Sequence, residues 1–469
     1  MNVHSRVLAS AVAAILVTSV GHTTELTAFA LMPANTFSTG PTSGQFAGPG
    51  AGGNALPLVD KQPVQGFSAV LHGPTEHSFY VMPDNGFGTK GNSADALLRI
   101  YAVQPNFKTW NGKKIVGAGT VSPVDFHTGQ SLPGFNPRSF ISVRDPRHEL
   151  GFPIVANMGN YPNDLNVAIA VDPQITERQL LTGSDLDTES VRRDRFGNLW
   201  FGDEFGPFLI NTSPQGRVLR AEIPTPNVVP PGSTAAGALV RSPQNPYLGT
   251  DSPNLGSSRG FEGMAINPKG DKLYTLLEGT VTGDNSIDGT VNKNLRIDEF
   301  DIRTTSYTGR NWIYPLAADG TNIGDMTAVN DHQFLVLERN GATATSTSGV
   351  PFKKIYLADI SGVPSGGFAR KTELVDLMNI ADPHDLNGDG NTLFTFPFVT
   401  IESVLILDKS TLLVINDNNY PGTGGRDLNS DNTEFLKLHL DTPLNVARFC
   451  DEDHHGGWDF GDDDGWQHR

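Results

Sequence analysis

An all-β fold, most simply a β-propeller, is predicted by three features of the sequence. From about residue 58 to about residue 441, short apolar segments alternate with clusters of Gly, Asn, Asp and Pro, and no stretch keeps a 3.6-residue apolar period. One pattern, an apolar strand, a polar turn and a second apolar strand, occurs five times. In four of the five copies it opens and closes on a carboxylate. The copies are GFSAV to FYVMPDNG (66–86), DTESVRRDRFGNLWFGDEFG (187–206), RGFEGMAINPKGDKLYTLLEG (259–279), IGDMTAVNDHQFLVLERNG (323–341) and TIESVLILDKSTLLVINDNN (400–419).

The spacing of the copies suggests the number of blades. The hairpins begin at residues 66, 187, 259, 323 and 400, whereas a four-stranded blade needs about 40 to 50 residues. The long gap from 86 to 187 is therefore expected to hide a further blade, with strands at 96–103 and 140–143 and a short helix at 175–181. Six blades are predicted, with five or seven as alternatives, and a β-sandwich or β-helix is the second choice of architecture.

The two ends of the chain have their own composition. Arg6, the apolar stretch 7–20 and the A-x-A pattern Ala28-Phe29-Ala30 resemble a secretory signal, so we expect export to the periplasm or beyond after cleavage near Ala30. The apolar stretch is too short to span a bilayer, and no membrane anchor is expected in the mature chain. Residues 31–57 have the composition of a linker, the propeller is assigned to 58–447, and the acidic tail 448–469 is expected to lack a fixed fold.

Charge and cysteine content exclude some classes of protein. The formal net charge is −17, which disfavours nucleic-acid and anionic-membrane partners and suits divalent cations or basic partners. Cys450 is the only cysteine, so no disulfide forms within one chain. Oligomeric state stays open.

The repeated acids predict a metal centre. An antiparallel hairpin brings the start of its first strand beside the end of its second, so a radial arrangement gathers both acids of each copy around one opening. Like charges at close range raise one another's pKa unless cations compensate, and carboxylate and amide oxygens favour Ca²⁺ over zinc. The alternative is that some of these acids blunt strand edges or cap turns. The first acids are Glu189, Glu262, Asp325 and Glu402, and the second acids are Asp203, Glu204, Glu278, Glu338 and Asp417.

A second calcium signal lies in the segment 385–390, DLNGDG, which matches the first half of an EF-hand loop. Position 12 of that loop would be Phe396, where a bidentate Glu is required. The segment is therefore read either as a calcium loop of another kind or as a plain turn.

Two arginines are candidates for binding an anionic substrate. Arg259 precedes the third hairpin, and Arg426 follows the polar turn at 416–419. A guanidinium group offers paired planar donors to phosphate, although either arginine could equally neutralise nearby acids. His384, beside the 385–390 loop, is a candidate substrate contact.

These segments resemble the phytase-like family described as having esterase-like activity, a family of exported bacterial proteins related to phosphodiesterases. The resemblance rests on the segments 181–210, 258–279 and 395–426, together with the opening GFSAV segment. It implies a propeller-like fold with an active centre of Asp and Glu at the hairpin ends. The first copy departs from the pattern, because Ser68 replaces the leading acid and only Asp84 and Asn85 remain. The residues that the resemblance implies are Asp185, Asp187, Glu189, Asp203, Glu204, Glu262, Glu278, Glu402, Asp417, Asn418 and Arg426.

The sequence thus predicts an exported, calcium-dependent hydrolase of small anionic phosphoric esters. Glu204 or Asp417 is the predicted general base, Arg259 and Arg426 are the predicted catalytic and substrate-binding cations, and Asn418 and His384 are further predicted substrate contacts. The alternatives are a calcium-dependent lactonase or carboxylic esterase on the same propeller, and a non-enzymatic binding module stabilised by calcium. The predicted calcium ligands are Asp185, Asp187, Glu189, Asp203, Glu262, Glu278, Glu338 and Glu402.

Overall fold

The structure is a computed structural model that describes residues 24–48, 55–64 and 66–447. Its first strands are β1 (Glu25–Met32), β2 (Phe37–Thr39) and β3 (Lys61–Pro63). Strands β2 and β3 form a two-stranded sheet of their own. Strand β1 belongs to a blade whose other strands lie at the far end of the chain.

The first blade contains the first copy of the repeat. Strands β4, β5 and β6 pair in sequence order, and both β9 and β10 add to β6. The short strands β7 and β8 pair with each other, and β7 also pairs with β1. The bounds are β4 (Phe67–His72), β5 (Phe79–Pro83), β6 (Arg99–Asn106), β7 (Lys108–Trp110), β8 (Ile115–Val116), β9 (Thr120–Pro123) and β10 (Phe140–Ser142).

A long connection with little regular structure leads to the second blade. It holds a 3₁₀ turn at Val155–Asn157 and the α-helix α1 (Pro173–Arg178). The Asp172 carboxylate caps α1 by accepting the backbone N–H of Gln174, and Pro173 occupies the first helical position. The predicted helix at 175–181 therefore exists, but it begins two residues earlier and is shorter.

The next three blades are four-stranded antiparallel sheets in sequence order. A 3₁₀ turn at Asp284–Ser286 lies between the second and third strands of the middle sheet. The bounds are β11 (Thr188–Arg193), β12 (Leu199–Asp203), β13 (Phe208–Thr212), β14 (Ile223–Pro224), β15 (Gly263–Ile266), β16 (Lys272–Leu276), β17 (Asn294–Asp301), β18 (Ser306–Pro315), β19 (Asn322–Ala328), β20 (Gln333–Arg339), β21 (Lys353–Asp359) and β22 (Arg370–Asp376).

The last blade joins the two ends of the chain. Its order is β25-β26-β27-β1, so a strand from the N-terminal end is its outer strand. Antiparallel pairing runs from Glu25 beside His439 to Met32 beside Thr433. The remaining bounds are β23 (Ile380–Ala381), β24 (Leu393–Phe394), β25 (Ile401–Asp408), β26 (Thr411–Asn416) and β27 (Thr433–His439).

The inner strands β4, β11, β15, β19 and β25 contact one another in this order, and β25 returns to β4. The described residues thus form a closed ring of five blades, so the propeller prediction is confirmed while the count of six is not. The strands predicted at 96–103 and 140–143 exist as β6 and β10, but both belong to the first blade. Loops rather than a sixth sheet fill the rest of the gap.

The N-terminal boundaries predicted from the sequence need correction. Ala28-Phe29-Ala30 lies inside β1, and Ala30 is fully buried against the last blade. Cleavage near Ala30 would remove most of the outer strand of the last blade. The same run of small apolar residues that resembles a cleavage site serves here as a buried strand. Residues 1–23, which carry the rest of the predicted leader, lie outside the described residues.

The predicted linker at 31–57 is also folded in the part that the structure describes. Strand β2 pairs with β3, and Ser43 forms a β-bridge with Leu58. The Asp95 carboxylate accepts the backbone N–H groups of Gly44 and Gln45 at 3.0 and 2.8 Å. The propeller body therefore begins near residue 25 rather than 58. The tail at 448–469 lies outside the described residues, and among those described no helix is long and apolar enough to cross a membrane.

Apolar strands hold the ring together. Strands β12 and β26 are buried at nearly every position because each blade packs between two neighbours. Buried apolar area is the main favourable contribution to such packing. The ring fixes the starts of all five inner strands at one end of the central channel, where the repeated acids lie.

Candidate metal and active centre

A backbone irregularity places the first acid of each repeat. In four hairpins the pairing shifts by one residue near the start of the inner strand, which is the signature of a β-bulge. A bulge leaves one residue unpaired and re-aims its side chain. The bulged residues are Ser68, Glu189, Gly324 and Glu402. Glu262 precedes β15 at the corresponding place in the third copy.

In the fourth copy the bulged residue is Gly324, so Asp325 does not belong to the group of first acids as predicted. A shift of one residue along a strand moves a side chain to the opposite face. Asp325 accordingly pairs with Arg192 at 2.9 Å and accepts the backbone N–H of Val404 at 2.9 Å. No side chain would fit at 324, because a Cβ there would lie 2.0 Å from the Ile401 carbonyl oxygen.

The second position of the repeat shows the same shift. Glu204, whose backbone N–H bonds to the Asp187 carbonyl, has its counterpart in the fourth copy at Arg339, which pairs with Asn322. Glu338 lies one residue earlier and faces away from the opening. It accepts Tyr314 Oη at 2.8 Å and contacts the Lys371 ammonium group. The prediction of Glu338 as a metal ligand is therefore wrong.

The structure gathers eight carboxyl groups at this end of the channel, and we call them the acid cluster. Seven of the eight side chains are buried, and the half-buried Asp84 lines the cavity beside the cluster. They lie close enough together that the charge of one carboxylate raises the pKa of its neighbours. The acid cluster consists of Asp84, Asp187, Glu189, Glu204, Glu262, Glu278, Glu402 and Asp417.

Three members of the acid cluster fit a cation. One carboxylate oxygen from each of Asp187, Glu189 and Glu204 lies within 4.8 Å of the other two. Asp187 Oδ1 and Glu204 Oε1 are buried and accept no hydrogen bond. An unpartnered buried carboxylate oxygen is costly unless a cation or a proton compensates it. An all-oxygen donor set suits a hard cation such as Ca²⁺.

Arg339 compensates the other side of the acid cluster. Its Nη2 lies 3.0 Å from Glu262 Oε1, 3.0 Å from Glu402 Oε1 and 3.3 Å from Glu278 Oε1. The fourth copy thus supplies a fixed positive charge between the glutamates of its neighbours. Ser68 Oγ donates to Glu402 Oε2 at 3.1 Å, so the first copy orients one of these glutamates.

Burial and crowding raise the proton affinity of the acid cluster. Burial and the neighbouring Asp203 charge raise the pKa of Asp187 to about 7. Burial raises the pKa of Glu402 to about 8, with further contributions from Asp417 and Glu278 that Arg339 opposes. For Glu189, Glu204 and Glu262, burial followed by repulsion from neighbouring carboxylates holds the pKa well above its usual range. Such groups are expected to exchange protons for a metal cation.

Asp84 and Asp417 are the members of the acid cluster that line an open cavity of about 400 Å³. Both flank Gly66, where a Cβ would lie 2.8 Å from Asp417 Oδ1 and 4.0 Å from Asp84 Oδ1. Burial and then the Asp417 charge hold the pKa of Asp84 well above its ordinary value. Gly86, Gly422 and Thr423 also line the cavity, which leaves room for a small ligand beside the two carboxyl groups.

Asp185 and Asp203, both predicted metal ligands, instead brace loops. Asp185 accepts the backbone N–H groups of Val155 at 2.7 Å and Thr182 at 2.8 Å, one on each oxygen. Asp203 accepts those of Asp187 at 2.9 Å and Gly206 at 2.7 Å. Through these hydrogen bonds, which engage each of the four carboxylate oxygens once, the two residues hold the Asp187 segment in place.

Only one of the two predicted substrate arginines reaches the acid cluster. Arg259 Nη1 lies 2.6 Å from Glu278 Oε2, and its side chain stays 41% exposed. Arg426 instead pairs with Glu434 at 2.8 Å and lies over the rings of Phe394 and Phe398. The prediction that both arginines line this edge is therefore wrong for Arg426.

The other predicted substrate contacts also lie elsewhere. His384 stacks on Trp110 of β7, with ring centroids 4.4 Å apart, beside the outer strand of the last blade. Asn418 is buried and donates to the Asp431 carbonyl at 2.8 Å. Neither side chain joins the acid cluster.

The 385–390 segment is a hydrogen-bonded surface turn. Asp385 Oδ1 accepts the backbone N–H of Gly390 at 3.0 Å, and Asp389 accepts Asn387 Nδ2 and the backbone N–H of Asn391. These contacts favour the plain-turn interpretation over a calcium loop.

Sequence reasoning missed Arg339 and gave Asp84 too little weight. Both stand at the second position of the repeat when the copies are aligned by hairpin pairing rather than by their acids. The signal was the spacing from the polar turn to the end of the second strand. A search restricted to carboxylates could not find an arginine there.

Replacing Gly66 by alanine is expected to disturb the centre more than backbone strain alone would. Gly66 has φ of +72°, which costs a residue with a side chain about 1 kcal/mol, and the new Cβ would also collide with Asp417 Oδ1. Urea unfolding of Gly66→Ala measures the loss of unfolding free energy that the strain and the collision cause together. Gly112→Ala is the matched control, because Gly112 has φ of +88° and no atom within 4 Å of the added Cβ. Equal losses for the two variants would contradict the predicted collision.

A secreted fungal protein matches part of this chain. An uncharacterized secreted protein from Arthroderma benhamiae is 31% identical over 127 residues, and the match covers 26% of this chain and 25% of that protein. The chain therefore matches about a quarter of that relative's length.

Solved structures give weaker likenesses. The calcium-binding protein regucalcin from Agrobacterium tumefaciens is 11% identical with a TM-score of 0.33, over 82% of this chain and 93% of that one. The Pan2 WD40 domain of Neurospora crassa is 8% identical with a TM-score of 0.30, over 89% of this chain and all of that one. Likenesses this weak say nothing about activity. The model of the phytase-like family, described as esterase-like activity of phytase, matches residues 62–420, and the chain therefore belongs to this family.

Proposed function

We propose that the chain is an exported, calcium-dependent hydrolase of small phosphoric esters, with its active centre at the acid cluster. The observation that carries this proposal is the trio Asp187, Glu189 and Glu204, in which one oxygen of each residue lies within 4.8 Å of the other two. Asp187 Oδ1 and Glu204 Oε1 are buried and have no hydrogen-bond donor. Membership of the phytase-like family supports ester hydrolysis. The secreted relative and the leader-like N-terminal sequence support export.

Asp187, Glu189 and Glu204 are the residues that would hold Ca²⁺. When bound, the cation would neutralise phosphate oxygens and lower the pKa of a nearby water. The acid cluster itself repels an anionic ester, so binding of a phosphate here requires a compensating positive charge. Activity is therefore expected to depend on the divalent cation.

Arg259 is the protein group that fits the substrate phosphate. Its guanidinium is anchored to Glu278 at 2.6 Å, and the exposed fraction of 41% leaves donors free to meet an anion. Arg339 has a different role, because it is buried and engaged with three glutamates. It fixes their positions and reduces the negative charge that the substrate meets.

Asp84 and Asp417 fit the proton transfers. Both line the cavity, and repulsion between two neighbouring carboxyl groups favours a state in which one is protonated and the other ionised. The ionised group would accept a proton from the attacking water, and the protonated one would donate to the leaving oxygen. This assignment keeps Asp417 as predicted and places Asp84, rather than Glu204, beside it.

The test uses purified full-length chain freed of metal with EGTA and then assayed with and without added calcium. Phytate, bis-p-nitrophenyl phosphate and p-nitrophenyl acetate are the substrates. We expect phosphate or nitrophenol release from at least one phosphoric ester only with calcium. Glu189→Gln is expected to lower kcat/KM by at least about tenfold, whereas Glu177→Gln, an exposed change on α1, leaves it unchanged.

The outcomes separate the three functional classes. Calcium-dependent hydrolysis of the acetate ester alone would replace the proposal by a carboxylic esterase. A calcium-induced rise in melting temperature without hydrolysis of any ester would indicate a structural metal. Phosphoric ester hydrolysis that persists unchanged in EGTA would overturn the assigned role of the acid cluster.

A further inference from the structure

A second large cavity lies at the opposite end of the channel. The acid cluster sits at the starts of the inner strands, whereas this cavity is lined by their ends, including Leu71, Ile266, Ala328 and Leu407. Its volume is about 720 Å³. We call it the basal groove. It is open to solvent, and nothing in the proposed hydrolysis uses it.

Cations dominate the charge of the basal groove. Arg192, Arg193, Arg195 and Lys437 line it, with His72 and His77, against the two carboxylates of Glu76 and Asp408. Arg192 is already neutralised by Asp325. Among the described residues no carboxylate lies within salt-bridge distance of Arg195 or Lys437, whose cationic groups instead lie over the rings of Phe196 and Phe107. The groove therefore offers apolar walls and positive charge to an acidic, aromatic occupant.

The chain itself carries a segment of this composition next to the basal groove. Val446 is one of the groove's lining residues, and the backbone N–H of Ala447 bonds to the Val329 carbonyl at 2.9 Å. The segment 448–469 follows directly, with seven carboxylates against two arginines. Trp458, Phe460 and Trp466 interrupt its acids. A segment tethered at the rim of a groove has a high effective concentration there, so weak contacts suffice to keep it bound.

We propose that residues 448–469 dock in the basal groove of their own chain. The aromatic side chains cover the apolar walls, and the carboxylates pair with Arg193, Arg195 and Lys437. The negative segment would thereby neutralise the positive charge of the groove. Charge complementarity and the point at which the described chain ends favour this occupant over a separate acidic partner.

The test follows the mobility of the tail in the full-length chain. Because Cys450 is the only cysteine, the double change Cys450→Ser and Gly465→Cys gives one site for a nitroxide spin label near the end of the tail. We expect a restricted label in dilute buffer. Arg193→Glu with Arg195→Glu, or high salt, is expected to free it, since salt screens ionic contacts. Lys113→Glu with Lys114→Glu is the matched control, because both lysines are exposed and outside the groove, and it should leave the label restricted.

Each outcome decides the proposal. A label that is mobile in the unsubstituted groove, or one whose restriction survives both the arginine changes and high salt, would overturn it. Restriction that disappears on dilution would show that the tail binds a second copy and would also overturn the intrachain form. If the arginine variant does not fold, the salt titration of the chain with an unaltered groove still gives the answer. Circular dichroism of every variant reports folding independently of the label.

Discussion

Replacing Arg339 by methionine is expected to lower the free energy of unfolding in calcium-free buffer by about 3 to 5 kcal/mol. Methionine keeps much of the apolar volume but removes the guanidinium that contacts Glu262, Glu278 and Glu402. Three buried glutamates would then face one another without a fixed counter-charge. Removing one partner of a buried ion pair costs far more than the pair contributes, because the remaining charges stay desolvated. Urea unfolding followed by tryptophan fluorescence measures the loss.

Two further variants make this result interpretable. Arg241→Met breaks an exposed pair with Asp251, whose side chain is 69% exposed, and should cost less than about 1 kcal/mol. Arg339→Lys keeps a positive charge and is expected to recover part of the stability. Calcium should also recover part of the loss in Arg339→Met, since it supplies positive charge to the same acid cluster. An Arg339→Met chain as stable as the unsubstituted protein without calcium would contradict the role assigned to Arg339.

The five copies of the repeat can be found from local sequence, but their alignment depends on strand register. Alternating apolar strands and turn residues identify a hairpin from local sequence alone, so all five copies were recognised. Gathering of the acids around one opening follows from hairpin geometry and was predicted for Glu189, Glu262, Glu278, Glu402 and others. Register is a property of two strands together, and a bulge changes it by one residue. That single residue separates Gly324 from Asp325 and Arg339 from Glu338.

Other features depended on contacts between distant parts of the chain. Strand β1 pairs with β27 more than 400 residues away in sequence, so no local pattern could distinguish it from a leader's cleavage region. Arg426 follows a polar turn as predicted, yet Glu434 and two phenylalanines hold it outside the acid cluster. The local sequence around a loop aspartate such as Asp185 is the same whether its carboxylate binds a cation or backbone N–H groups. Only the three-dimensional neighbours decide between these roles.

The largest solution effect should be a pH dependence that calcium abolishes. A carboxyl group whose pKa is higher in the folded chain than in the unfolded chain binds protons more tightly when folded. Its contribution to stability is then present below the unfolded pKa and is lost as the pH rises through the folded pKa. In the folded chain the pKa of Asp187 is about 7 and that of Glu402 about 8. Metal-free protein is therefore expected to lose stability as the pH rises from about 5 to 8.

Each fully titrating carboxyl group changes the free energy of unfolding by about 1.4 kcal/mol per pH unit. Two such groups therefore lower it by an amount on the order of 3 kcal/mol between pH 5 and pH 7, even if coupling between them halves the effect. Calcium replaces the protons and should remove this decline, because metal binding to carboxylates strengthens as they deprotonate. Urea unfolding across pH with EGTA and with calcium measures both curves. Asp187→Asn with Glu402→Gln removes two titrating groups and should flatten the metal-free curve. A metal-free protein that gains stability over this range would mean that the acid cluster is ionised and compensated without calcium.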